Sequence, residues 1–119
     1  MTIDLQLITE LQTKFADIPE AIASLETIAD CEGDLEDATM ALAIRSGQQP
    51  DINNSEWLNG LAKKCRVAIC HSEFRNDMVS GNFLPLFHHF VQAKICPSLL
   101  ILPVLLYVHE AGVNKFCQP

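Results

Sequence analysis

The side chains best suited to chemistry lie in the second half of this 119-residue chain, which holds all four histidines and four of the five cysteines. Two adjacent pairs are prominent, Cys70 with His71 and His88 with His89. Neutral imidazole and thiolate are zinc ligands, and four of them converging tetrahedrally would form a structural metal site. These four residues are therefore the candidate metal ligands.

The spacing of these residues does not favour a metal site. Strong zinc signatures place ligands two to four residues apart in two clusters, whereas the closest cysteine pair is Cys65 and Cys70. On one helix, residues five apart lie about 140° apart around the axis, and neighbours such as His88 and His89 diverge by about 100°. We therefore favour buried cysteines and histidines at the edge of an apolar core, and we predict no cofactor.

Thiol catalysis is a further alternative. Cys70 with His88 or His89 would supply a nucleophile and its base, provided that the side chains lie within hydrogen-bonding reach. The chain has no glycine-rich oxyanion or phosphate loop and no G-x-S-x-G motif, so nucleotide-dependent and serine-hydrolase activities have no support. A non-enzymatic protein is the leading interpretation.

The net charge of −7 is unevenly distributed along the chain. Residues 1–54 contain eleven acidic and two basic side chains, a balance of −9, whereas residues 55–119 contain four acidic and six basic ones, a balance of +2. An acidic N-terminal half repels phosphate groups, so we expect neither nucleic acid nor a membrane as partner.

Two further features predict a cytoplasmic protein. The first twelve residues have no basic region followed by an apolar one, so we expect no secretory signal. An odd number of cysteines without such a signal predicts reduced thiols.

The longest near-apolar run has 14 residues, at 95–108. A membrane span needs roughly 20, so we expect this run to form buried core.

Apolar residues recur at helical spacing over 3–15 and 18–30, which predicts two helices. We expect Asp17 to cap the second helix, because Glu20 follows three residues later as in a capping box.

A third helix is predicted between Asp34 and Gly47. Asp34 is the expected cap, with Asp37 three residues later, and Gly47 suits the left-handed position that ends a helix. Acidic residues crowd the start of this helix because its unpaired N–H groups and positive dipole end favour negative charge.

This N-terminal part carries a resemblance to a known family. Residues 33–47, GDLEDATMALAIRSG, are similar to the N-terminal module of elongation factor Ts, in which a Gly-Asp-aliphatic-Glu-x-Ala turn opens the third helix and Arg-x-Gly ends it. With Leu25 and Ile28, they resemble the second and third helices of ubiquitin-associated (UBA-like) domains, so the resemblance covers about residues 3–47.

The resemblance implies a three-helix unit that binds proteins, with a partner that differs from member to member. UBA domains that bind ubiquitin carry a Met-Gly-Phe-like loop between their first two helices. The corresponding loop at 16–19 reads Ala-Asp-Ile-Pro, which argues against ubiquitin as the partner.

The remaining residues resemble no known family. Polar residues and a proline at 48–54 predict a linker. Periodicity predicts a fourth helix capped by Ser55 and continuing to about residue 74, a short helix or irregular turn at 72–82, and two further helices that start at Asn82 and after the cap Ser98. Pro103 lies inside the last of these, where we expect it to kink or break the helix.

We therefore predict an all-α protein. A UBA-like three-helix unit at 1–47 is joined by the linker at 48–54 to a helical unit at 55–119, and the two units pack together, either as separate units or as one compact domain. The C-terminal half has more apolar surface than short helices can cover, so we also expect either a homo-oligomer or a permanent partner chain.

The predicted function is non-enzymatic protein binding, as an adaptor or assembly module with another protein as partner. The expected contact residues are the acidic residues at the starts of the second and third helices: Asp17, Glu20, Asp34, Glu36 and Asp37. The competing class is a small metal-binding or thiol-dependent protein that uses Cys70, His71, His88 and His89.

Overall fold

The computed structural model describes residues 1–50 and 54–118. Within these residues the regular structure is helical, apart from one isolated bridge between Thr2 and Asp34. The all-α prediction is confirmed. The helices are α1 (Leu5–Lys14), α2 (Pro19–Asp30), α3 (Leu35–Arg45), α4 (Asn54–Lys64), α5 (Arg66–Ile69), α6 (Ser72–Ser80), α7 (Leu84–Ala93), α8 (Ser98–Ala111) and α9 (Val113–Phe116).

The first three helices pack around a small set of apolar side chains. α2 contacts both α1 and α3, and Leu11, Leu25, Ile28 and Leu35 are buried between them. These residues recur at helical spacing on the inward faces, so their burial follows from the pattern that predicted the helices.

The two ends of α3 match the prediction. The Asp34 carboxylate accepts a hydrogen bond from the Asp37 backbone N–H at 3.1 Å. At the other end, Gly47 has a φ of +81° and its N–H donates to the Ile44 carbonyl, while the Gln48 N–H donates to the Ala43 carbonyl. This pair of bonds is a Schellman motif, which satisfies the last carbonyls of the helix.

The predicted cap of α2 is wrong. Its N-cap is Ile18, and no side chain caps it. Asp17 instead lies in the turn after α1, where the Ile18 N–H donates to the Phe15 carbonyl at 2.9 Å. Pro19 occupies the first turn of α2, and a proline there has no N–H that needs a partner.

α8 is the central element of the fold. It packs against α2, α3, α4, α7 and α9, and its residues 100–106 are all buried. An element that is apolar on every side is expected where neighbours surround it. The 95–108 run is thus buried core over 100–106 and at Val108, whereas 95–99 and Tyr107 are half-buried. α8 contributes none of the large exposed hydrophobic residues of the described chain. The homo-oligomer stays a prediction, but the surplus apolar surface that motivated it is absent from α8.

Pro103 does not break α8, which continues from Ser98 to Ala111. A proline lacks the N–H that would bond to the carbonyl four residues earlier, and that carbonyl belongs to Leu99. The hydroxyl of Ser24 on α2 donates to the Leu99 oxygen at 2.7 Å. Ser24 is fully buried, so it supplies inside the core the donor that the proline removes.

We expect Ser24→Ala to lower the free energy of unfolding by about 1.5 kcal/mol, because it leaves the Leu99 carbonyl buried without this donor. In a Pro103→Ala background the backbone N–H returns, and the same substitution should cost about 0.5 kcal/mol. Urea unfolding of the four proteins of this cycle gives the coupling energy. A coupling near zero would show that the hydroxyl does not compensate for the proline.

The second half contains more breaks than the sequence predicted. The fourth helix does not reach residue 74, because the chain bends at Cys65 and again at Cys70 and His71. His71 is extended, and its Nδ1 accepts from the Glu73 N–H at 3.1 Å, so it caps α6. The uncertain segment at 72–82 is therefore mostly helical.

The predicted starts of three helices also need correction. α4 begins at Asn54, one residue before the predicted cap Ser55, and α7 begins at Leu84. Ser98 is the first residue of α8, after the N-cap Pro97. Proline at the cap and in the first turn fits positions whose N–H groups have no helical partner.

Residues 51–53 of the predicted linker lie outside the described residues. One apolar core includes side chains from both sides of the linker, from Ile3 in the first part to Val113 in the second. The boundaries at 1–47 and 55–119 stay a prediction. Over the described ranges, no helix combines the length and apolar character needed to cross a membrane.

Candidate functional site

The candidate metal ligands do not form a ligand set. Cys70 is joined to Cys117 in a disulfide, so it has no thiolate to offer a metal or a substrate. The predictions of Cys70 as a metal ligand and as a nucleophile with His88 or His89 are wrong. The expectation that all five cysteines are reduced is also wrong for this pair, whereas the other three are free thiols.

The histidines of this set have separate surroundings. His71 caps α6, His88 is exposed on α7, and the His89 ring packs on Phe74 with ring centroids 4.9 Å apart. In the described part of the chain, no three His, Cys, Asp or Glu side chains are arranged to hold a metal ion.

The five acidic candidates fall at opposite ends of α2. Asp17 and Glu20 are at its N-terminal end, whereas Asp34, Glu36 and Asp37 follow its C-terminal end. A 12-residue helix is about 18 Å long. The two groups therefore do not form one compact cluster.

The second group belongs to a larger acidic surface, which we call the acidic turn. It connects α2 to α3 and comprises five carboxylates within eight residues: Asp30, Glu32, Asp34, Glu36 and Asp37. Asp30, Glu32 and Asp37 are exposed. Asp34 is engaged in capping α3, and Glu36 contacts the Met1 amine.

The negative potential of the acidic turn is apparent at Cys31, which lies half-buried in its middle. Burial is the main cause that raises the pKa of the Cys31 thiol, and the nearby charges of Asp37, Asp34 and Asp30 raise it further. The sequence also indicated Glu32 as part of an acidic set able to steer a basic partner, although the predicted contact residues on this surface were Asp34, Glu36 and Asp37 alone.

A pocket of about 340 Å³ opens where α4 and α5 meet α6 and α7. We call it the thiol pocket, because the free Cys65 lines it. Its other lining residues are four with polar groups and four apolar ones: Lys64, His71, Glu73 and His89, and Val67, Ala68, Phe74 and Ile95.

The Cys65 thiol lies within hydrogen-bonding reach of Cys96. This contact lowers the pKa of Cys65 against the opposing effect of burial, and the charge of Lys64 lowers it further. The same contact and burial raise the pKa of Cys96. These opposite directions favour loss of the first proton from Cys65 rather than from Cys96.

The sequence predicted that Cys65 and Cys96 are buried, which is correct for Cys65, whereas Cys96 is half-buried. It did not predict their contact. They are 31 residues apart, at the α4–α5 junction and in the α7–α8 loop. No local spacing reveals such a pair.

Comparison with known proteins does not identify a relative. No protein-family model, no curated protein and no solved structure matches the chain.

Proposed function

We propose that this protein is a non-enzymatic protein-binding module, an adaptor or assembly factor, and that the acidic turn is its recognition surface. The observation that carries the proposal is the concentration of five carboxylates in one turn, three of them exposed. Complementary charge steers a partner and sets its orientation. The partner in this proposal is therefore a protein with a basic surface.

The resemblance to UBA-like domains remains part of the proposal. It is supported by the packing of α1, α2 and α3 around one set of apolar side chains and by the Asp34 cap that opens α3. We also propose a cytoplasmic location. The three free cysteines support it, whereas the Cys70–Cys117 disulfide counts against it.

The test is affinity capture from a lysate of the source cell with the intact chain and two charge variants. Glu32→Lys/Asp37→Lys changes the acidic turn, and Asp17→Lys/Glu20→Lys makes the same charge change at the far end of α2. We expect a stoichiometric partner to be kept by the unaltered chain and by the second variant, and to fall at least tenfold with the first. Raising the salt concentration should weaken the capture.

Each other outcome counts against the proposal. Loss only with Asp17→Lys/Glu20→Lys would place the surface at the start of α2, where the sequence also predicted contacts. Equal capture by all three proteins would exclude both acidic surfaces. Capture of no stoichiometric partner by the unaltered chain would contradict protein binding through the acidic turn.

A second candidate function is that of a thiol-dependent protein, with cysteines other than the predicted Cys70. Cys65 and Cys96 take the place of Cys70, because they are free and in contact.

A further inference from the structure

We propose that Cys65 and Cys96 form a peroxide-reactive dithiol, which hydrogen peroxide entering the thiol pocket converts to a disulfide. The inference develops the thiol-dependent alternative and does not rest on protein binding by the acidic turn. It is based on the contact between two free thiols and on the pocket that opens on one of them.

The position of Cys65 selects the oxidant. Cys65 is only 2% exposed, yet it lines a pocket that admits water-sized molecules. Hydrogen peroxide is small and uncharged, so it can reach a sulfur at this depth. A bulky disulfide such as oxidised glutathione needs in-line access to the sulfur, which a residue only 2% exposed offers poorly.

The position of Cys96 makes it the second thiol of the reaction. It precedes α8, and its neighbour Ile95 lines the same pocket. Its interaction with Cys65 favours the thiolate at Cys65, and the nearby Lys64 adds a positive charge. Thiolate is the form that reacts with peroxide.

In the first step the Cys65 thiolate attacks one peroxide oxygen. A sulfur–oxygen bond forms and the oxygen–oxygen bond breaks, so Cys65 is oxidised to the sulfenic acid and the peroxide is reduced. The hydroxide that leaves takes the Cys96 proton and becomes water. Cys96 is now a thiolate beside the sulfenic acid.

In the second step the Cys96 thiolate attacks the Cys65 sulfur. The disulfide bond forms, the sulfur–oxygen bond breaks, and the departing hydroxide takes a proton from solvent, equivalent to the one released when Cys65 ionised. The sum is two thiols and one hydrogen peroxide giving one disulfide and two waters.

The other cysteines provide internal controls. Cys70 and Cys117 are already oxidised. Cys31 is free, but its pKa is raised by burial and by the acidic turn, so less of it is thiolate at neutral pH. A folded chain should therefore lose Cys65 and Cys96 before Cys31, although Cys65 is the more buried thiol.

The experiment treats the purified folded chain, with its Cys70–Cys117 disulfide intact, with a small excess of hydrogen peroxide at neutral pH. Remaining thiols are alkylated under denaturing conditions and mapped by peptide mass spectrometry. We expect a peptide cross-linked between Cys65 and Cys96 at a rate at least tenfold above the loss of Cys31. The same treatment in urea should abolish this preference, because it separates the pair.

Two variants sharpen the result. Cys96→Ser should stop the reaction at a Cys65 sulfenic acid that dimedone traps, and Cys31→Ser should react as the unaltered chain does. Survival of both thiols, oxidation of Cys31 at an equal or higher rate, or the same cross-linking in urea would overturn the proposal. These three outcomes are measured on the unaltered chain, so they do not depend on whether the variants fold.

Discussion

Replacing Cys70 and Cys117 together by serine lowers the free energy of unfolding by about 4 kcal/mol. The disulfide joins residues 47 apart in the sequence. A cross-link of this span removes conformational freedom mainly from the unfolded chain, and the loop-entropy relation gives about 4 kcal/mol for it. Urea unfolding followed by circular dichroism measures the change, and the denaturant slope should rise because the uncrosslinked chain unfolds to a more open state.

Native contacts around the disulfide should survive this replacement. The Arg66 guanidinium lies over the Phe116 ring, 5.0 Å from its centroid, and Arg75 donates to the Asn114 side-chain oxygen at 3.1 Å. Both contacts hold the end of the chain against α5 and α6. The matched control is Cys31→Ser, a free cysteine, for which we expect a change within about 0.5 kcal/mol. An unaltered midpoint and slope in the double variant would show that the cross-link does not stabilise the fold.

Gly33→Ala should lower the free energy of unfolding by about 3 kcal/mol. Gly33 has a φ of +85°, and a Cβ there would lie 2.5 Å from the Ile3 carbonyl oxygen. The two backbones are held at this distance, because the Ile3 N–H donates to the Gly33 carbonyl at 2.8 Å and the Leu35 N–H donates to the Met1 carbonyl at 3.0 Å. The substitution combines left-handed strain with a collision against a backbone atom.

Gly47→Ala separates the two causes. Gly47 has nearly the same φ, +81°, and a Cβ there would meet no atom within 4 Å. It should therefore cost about 1 kcal/mol, the strain alone. Urea unfolding of both variants gives the comparison. Equal losses would mean that the segment at Ile3 moves away at little cost and that the close approach does not fix the α2–α3 turn.

The parts of the fold that depend on adjacent residues could be predicted from the sequence. Asp34 caps α3 and Gly47 ends it through bonds to residues at most five positions away. The continuation of α8 through Pro103 could not be predicted, because its compensation comes from Ser24 on another helix. Helical periodicity reports which face is buried, but it does not report which side chain meets which across the core.

The same distinction applies to the candidate sites. Composition alone predicted an acidic N-terminal half, and the acidic turn contains five of the eleven acidic residues of that half. The thiol pair could not be found, because Cys65 and Cys96 meet only when the α7–α8 loop packs near the α4–α5 junction. Cys70 and His71 were candidate metal ligands because they are adjacent in the sequence. In the structure, however, Cys70 forms a disulfide with Cys117 and His71 caps α6.

The central place of α8 also determines when this chain can fold during synthesis. A ribosome makes α2 and α3 long before α8, although both helices bury apolar side chains against α8. The Ser24 hydroxyl also has its acceptor, the Leu99 carbonyl, 75 residues later in the chain. Contacts between such distant segments form slowly, because closing the long loop between them costs conformational entropy before the contacts form. The early helices therefore remain incompletely covered until the α8 segment has left the ribosome, and over that interval the nascent chain is most exposed to chaperones, proteases and aggregation.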